Sequence, residues 1–388
     1  MGYFSDQEMN RRLANLRRAM DEQSVEAVLV TSVHNTLYYS NFWMIPWGRE
    51  QGLVIPRDGE PALIAPRIEY DRPAKMVGDG SGFSDIRIYA DNASAIDGWV
   101  GLARQVLRDR GITSGRIGIE EDNVSITMHK ALCAALPDFE FTEIGYAMMR
   151  EQMLKSDEEI TLIRDGTEIC DLGAQAFVDA VRNGVTEVQL ARASVTAMEE
   201  EICRRFPGHE CDGTFCWAQS GPENTKVAHC LNTDRQIHSG DLLSLNVFPM
   251  ILGYYHLLER SLVFGSISAE VQVEVHHAGI AALKPGVRLG DIDDAIINPI
   301  YQQHGLLENR TFGTGHSFGI MGYWYGRDEL GEIRPYNDYV LQPNMVMSME
   351  PMISVDGIGG FKHADMFLIT ENGNEPLTRF RNDMIVIS

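Results

Sequence analysis

Two acids and two histidines in the second half of this 388-residue chain sit where polar groups are costly. Glu259 lies in LLERS, inside the apolar run from Leu243 to Arg260, and Glu350 lies in MSMEPM. His229 stands in KVAHC, and His316 in the glycine-flanked GTGHSFG. A buried carboxylate without a partner costs several kcal/mol or takes up a proton. Arg260 follows Glu259 directly, so on a strand it points to the other face. The partner of Glu259 is therefore expected from elsewhere, a ligand included. Each of the four has a plain reading: a satisfied core histidine, a histidine filling a turn, or an acid ending an edge strand before Pro351. Together they carry more weight, because one shared pocket satisfies all four.

The elements that must position them can be read from pattern. Ser5 with Glu8 forms a capping box before the amphipathic NRRLANLRRAM, and the buried strand EAVLVTS follows. GLVIPRDGEPALIAP is a hairpin turning at Asp58-Gly59, and RIGIEED leads into the helical SITMHKALCAAL. A second capping box, Ser156 with Glu159, opens a long helix from Asp157 to Val181, and the domain boundary falls just before it. The helix TEVQLARASVTAMEEEICRRF, the hairpin joined at Gly253, helices over Ala269–Leu283 and Leu289–His304, and further strands complete an α+β second half. No short-period repeat or low-complexity segment interrupts it.

Composition narrows the class. A formal net charge of -22 argues against nucleic acid and anionic membrane surfaces, which select basic patches, and favours a small-molecule partner. No apolar stretch is long enough to span a membrane and the N-terminus lacks a signal core, so a cytoplasmic location is expected. The six cysteines form no C-x-x-C pair and are expected to be reduced and mostly buried.

GTGHSFG, SMEP and GGFKHADMFLITENG, in this order and spacing, resemble the creatinase/prolidase/methionine aminopeptidase family, the "pita-bread" fold. The likeness extends through TSVHNTLYYSNF, GRIGIEEDN, MLKSDEEITLIRDG and GDLLSLNVFPMILGYYHLLERSLVF, and is greatest to the family's creatine-hydrolysing members, which yield sarcosine and urea. It implies an α/β N-terminal domain (residues 1–154) and an α+β C-terminal pita-bread domain (residues 155–388). The latter is a curved antiparallel sheet flanked by helices, with the active site on its concave side.

In the family's metallopeptidases the hairpin supplies two aspartates that bridge a metal pair, completed by a His and two Glu from later strands. Here Asn246 and Leu257 stand at the aspartate positions and Ala364 at the last Glu, so only His316 and Glu350 match. Hard dications need several anionic oxygens, and neither metal nor other cofactor is expected. Glu259 lies two residues beyond Leu257, on the same strand face. The carboxylate has moved rather than vanished, and an organic cation is expected in the metals' space.

A guanidinium suits that space, being planar, permanently charged and able to donate paired N–H groups to two carboxylates. The resemblance implies catalytic roles for His229, Glu259 and Glu350: the two acids hold the guanidinium of a guanidino amino acid, and His229 transfers protons. It implies substrate-binding roles for Arg327, in WYGRD, and for Arg49 with Trp47, in PWGRE, the latter two across a homodimer interface. Tyr255 and His316 complete the expected pocket. Without substrate the two carboxylates are expected to repel, offset only by water and His316. Where creatine-hydrolysing relatives have a His before Asp365, this chain has Ala364, with His363 one residue earlier. A one-residue shift turns a strand side chain to the other face, so His363 is expected outside the pocket. Two further readings stay open: a hydrolase or lyase of this fold acting on a different small amino-acid-like substrate, and a binding module that has lost the chemistry.

Overall fold

Chain contacts divide the computed structural model into two units, Met1–Gln152 and Met153–Ser388. The structure describes residues 3–387 apart from positions 43, 45–46, 78–81, 91, 93, 210–211, 265–269, 311–312, 321–330 and 384.

In the first unit Ser5 caps the helix Asp6–Gln23 by accepting a hydrogen bond from Glu8 N, while the Glu8 carboxylate binds Arg11 and Arg12. Six strands follow: β1 (Ala27–Val30), β2 (Gly52–Pro56), β3 (Ala62–Pro66), β4 (Asp85–Tyr89), β5 (Gly115–Ile119) and β6 (Phe139–Glu143). They form one mixed sheet in the order β4-β3-β2-β1-β5-β6. The expected hairpin is β2–β3, with Gly59 at φ +102° in its turn. Strands β1, β2 and β3 are buried at every position, as an unbroken apolar run requires when both faces are covered.

The second unit begins with two helices, Asp157–Ala180 and Glu187–Arg205, each opened by a complete capping box, Ser156 with Glu159 and Thr186 with Gln189. Gly173 lets them pack closely: a Cβ there would meet Met198 Sδ at 2.6 Å. The sheet that follows holds β7 (Phe215–Ser220), β8 (Leu242–Phe248), β11 (Leu258–Phe264), β12 (Val346–Met349), β13 (Met352–Val355), β14 (Gly359–Thr370), β15 (Gly373–Pro376) and β16 (Ile385–Ile387). Its central order is β12-β14-β11-β8-β7, all antiparallel. The short β9 (Met250–Ile251) and β10 (Tyr254–Tyr255) close the β8–β11 hairpin through Leu252 and Gly253, both at positive φ. That is the geometry of a two-residue turn matched to strand twist.

Two expectations change here. The helix read over Leu289–His304 is three pieces: Leu289–Asp291, a π-helical Ile292–Ile297, and Asn298–Gln303. Pro299 has no N–H to donate, so the regular ladder cannot run through it. Of the five described cysteines, all free, only Cys170 and Cys216 are buried. Cys133 and Cys203 lie on exposed faces of amphipathic helices, where a small thiol is tolerated.

Candidate active site

Strand register builds the floor of the site. Trp217, Asn246, Glu259 and Ala364 are consecutive partners across β7, β8, β11 and β14. Two residues along, Gln219 pairs with Ser244 and Ser244 with Ser261, and the Ser261 hydroxyl bonds the Lys362 backbone. Side chains alternate along strands, so both rows share one face. A cavity of about 530 Å³ lies over them, walled by Phe215, Trp217, Phe248 and Phe318. His229, Tyr255, Glu259, His316 and Glu350 all line it, together with Leu257 and Lys362.

Each polar group is held by its own element. Glu350 follows the end of β12, its N–H bonded to the Thr314 carbonyl at 2.7 Å. Its Oε1 accepts from Ser348 Oγ at 2.7 Å and lies 3.0 Å from His316 Nε2. His316 Nδ1 is 2.9 Å from the Ser317 carbonyl, which can only accept, so Nδ1 carries a proton. Nε2 is thereby turned to the Glu350 carboxylate. The His316 ring stacks on Phe318, and Tyr255 Oη donates to the Gly213 carbonyl. His229 is on no strand. It lies in the turn after the short helix Gly221–Thr225, its ring edge-on to Trp217 with centroids 5.4 Å apart. The turn brings His229 to the wall of the cavity.

The expectation for Glu259 needs correction. Among the described residues a cation of this protein itself lies beside it: Lys362 Nζ is 3.9 Å from Glu259 Oε1. Lys362 is 3% exposed, and its ammonium donates to the Ala228 carbonyl, to Gln219 Oε1 at 3.2 Å and to Asn246 Oδ1 at 3.3 Å. The two carboxylates therefore do not face each other across an uncompensated pocket. Burial pushes the Glu259 carboxyl up to about 7, against the pull of Lys362 and with a further push from Glu350. Burial also lowers the Lys362 ammonium, while Glu259 and Glu350 hold it up. Lys362 escaped notice because a lysine in a strand pattern reads as a solvated charge. A signal was present: it lies two residues before Ala364, on the face of a lost ligand position.

The same atoms test the fold family's metal site. Asn246 turns its oxygen to Lys362 and its amide to the Trp217 carbonyl, Leu257 and Ala364 offer only hydrocarbon, and an ammonium lies among them. This donor set does not fit a divalent pair. Behind the floor, Arg260, His363 and Asp365 share the opposite face with His276 of the helix Glu270–Ala282. Arg260 Nη2 is 2.8 Å from Asp365 Oδ1, His276 Nε2 is 3.3 Å from Asp365 Oδ2, and the two imidazole centroids are 4.3 Å apart. Burial pushes His276 down to about 4 and His363 lower still, so both are neutral. His363 thus lies outside the pocket, as its shift in register requires.

Arg327 lies outside the described residues. Arg49 and Trp47 belong to the first unit, where Arg49 Nη1 donates to the Trp47 carbonyl at 3.3 Å and the Trp47 ring is 78% exposed.

Comparison with known proteins follows the division of the chain. Residues 12–153 match the creatinase/prolidase N-terminal domain and residues 161–371 match metallopeptidase family M24. A creatinase from Bacillus sp. (strain B-0618) is 40% identical over 387 residues, which cover 97% of this chain and 92% of that one. Among solved structures, a prolidase from Thermococcus sibiricus superposes with a TM-score of 0.83 at 21% identity, covering 97% of this chain and 99% of that one. An Xaa-Pro dipeptidase from Bacillus anthracis superposes with a TM-score of 0.81 at 21% identity, covering 98% and 100%.

Proposed function

We propose that this chain, which belongs to the creatinase/prolidase family, hydrolyses creatine to sarcosine and urea. The observation that carries the reading is the convergence of Glu259, Glu350, His316 and His229 on one aromatic-walled cavity, in a chain 40% identical to a creatinase. On this reading the guanidinium lies over the sheet floor and donates N–H groups to Glu259 and Glu350. The three protons of the Lys362 ammonium go to Ala228, Gln219 and Asn246, so at 3.9 Å it gives Glu259 charge compensation without using its lone pairs. Those lone pairs remain for substrate.

Guanidinium carbon resists water because its charge is delocalised over three nitrogens. Two carboxylates that fix two of the nitrogens leave the third, the sarcosine nitrogen, free to twist out of plane, which localises charge and exposes the carbon. His229 takes a proton from water as its oxygen bonds that carbon, then gives the proton to the sarcosine nitrogen as the C–N bond breaks. The urea leaves protonated on oxygen and gives that second water proton to the sarcosine amine, so that urea and zwitterionic sarcosine account for every atom and charge of creatine and water. The roles of Arg327, Arg49 and Trp47 as a clamp for the substrate carboxylate, the last two from a second copy in a homodimer, belong to the same reading. So does a cytoplasmic location, which the free cysteines favour. Among the described residues no helix is long and apolar enough to cross a membrane.

The test is to incubate purified protein with creatine, related guanidino acids and X-Pro dipeptides, reading urea and free amine. Urea from creatine alone is the expected result. Cleavage of X-Pro dipeptides without urea would replace this reading with a peptidase of the same fold.

A further inference from the structure

Lys362 is the charged group in the cavity for which the reaction has no chemical task. Its ammonium reaches four separate segments: Gln219 on β7, Asn246 on β8, Glu259 on β11, and the Ala228 carbonyl in the turn before His229. Gln219 strengthens the same tie, since its Nε2 donates to the Val227 carbonyl at 2.8 Å. The turn is exposed at Val227; β13 and β14 hold its start, through Ser354 Oγ on the Lys226 carbonyl at 2.8 Å and Gly360 N on Thr225 Oγ1 at 3.0 Å, and the Lys362 and Gln219 contacts hold the two residues just before His229. Three of the four contacts belong to the sheet and one to the turn. The ammonium is therefore a pin between them, and it offers no free proton donor to a substrate.

We propose that Lys362 is a positioning residue: its ammonium ties the turn that carries His229 to the strands that carry Glu259, and so fixes the imidazole over the carboxylate floor. The inference rests on the reading of this cavity as the amidine-hydrolysing site. A proton-transfer group must lie within hydrogen-bond reach of the attacking water, and a displacement of about 1 Å costs on the order of a hundredfold in rate.

The experiment uses the full-length protein and Lys362→Met, which keeps length but removes charge and donors. Should that variant not fold, Lys362→Gln carries the same two readings. The first is steady-state kinetics with creatine. Turnover should fall about 10- to 100-fold with a smaller change in KM, read at a pH high enough to keep Glu259 ionised once its internal cation is gone. The second is the imidazole Cε1–H resonance of His229, assigned by its absence in His229→Ala. In the wild type it carries the ring-current shift of Trp217, and in the Lys362 variant it should move toward the position of a free imidazole. A resonance that stays in place overturns the inference, as does unchanged turnover or a loss confined to KM. If the resonance moves but the wild type releases no urea, the tie stands and the assignment of the reaction falls.

Discussion

Glu259 is tolerated in an apolar hairpin because Lys362, just over a hundred residues later, lies 3.9 Å away and offsets part of the cost of burying its charge. Its carboxyl is pushed up to about 7, from 4.5, chiefly by burial. Between those values the folded chain holds a proton that the unfolded chain has lost, so stability falls as pH rises through the window and the full cost is present above pH 7. Glu259→Gln has no proton to lose. Between about pH 5 and about pH 8 the wild type should lose about 2 kcal/mol more unfolding free energy than the variant, read by urea denaturation. Equal pH dependence would mean that Lys362 satisfies Glu259 fully. The same substitution takes one carboxylate from the guanidinium pair, and creatine affinity should weaken by about 2–4 kcal/mol in calorimetry. Unchanged affinity would assign Glu259 to the fold alone.

At the scale of elements, the site depends on how closely the His316 segment lies against β12. Gly315 makes this possible: a Cβ there would meet the Ser348 carbonyl oxygen at 2.2 Å. The neighbouring His316 N–H bonds Ser348 Oγ at 2.9 Å, and Ser348 in turn donates to Glu350. Gly315→Ala should cost about 1–3 kcal/mol of stability and move His316 off Glu350, seen as a lower melting temperature and weaker creatine binding. A variant that melts and binds like the wild type would show that this contact is loose. Local elements were legible in the sequence: the Ser156 and Thr186 helix starts, the Gly59 and Gly253 turns, and the alternation that sends Arg260 and Glu259 to opposite faces. His229, Glu259, His316, Glu350 and Tyr255 were legible as pocket residues through family resemblance and their apolar surroundings. Lys362 was not, because its neighbours are set by pairing between β11 and β14, and no local pattern reports a register over that distance. The aromatic wall of Phe215, Trp217 and Phe248 was missed for a similar reason, since strand aromatics read as ordinary core until the sheet shows which face they share.

For the whole molecule, two domains matching the creatinase/prolidase family and a formal net charge of -22 suit a small-molecule substrate better than a polyanion. At the positions where the family resemblance places metal ligands this chain carries Asn246, Leu257 and Ala364, with the Lys362 ammonium bonded to Asn246 among them. The most direct measurement is urea and sarcosine release from creatine by protein exhaustively dialysed against a chelator, with elemental analysis of the same sample, beside His229→Ala treated identically. The expected result is equal amounts of urea and sarcosine at an undiminished rate with no stoichiometric divalent metal, and a fall in turnover of about a hundredfold or more in His229→Ala at little-changed KM. Activity that disappears on chelation and returns with manganese, cobalt or zinc, or a His229→Ala variant as fast as the wild type, would contradict it.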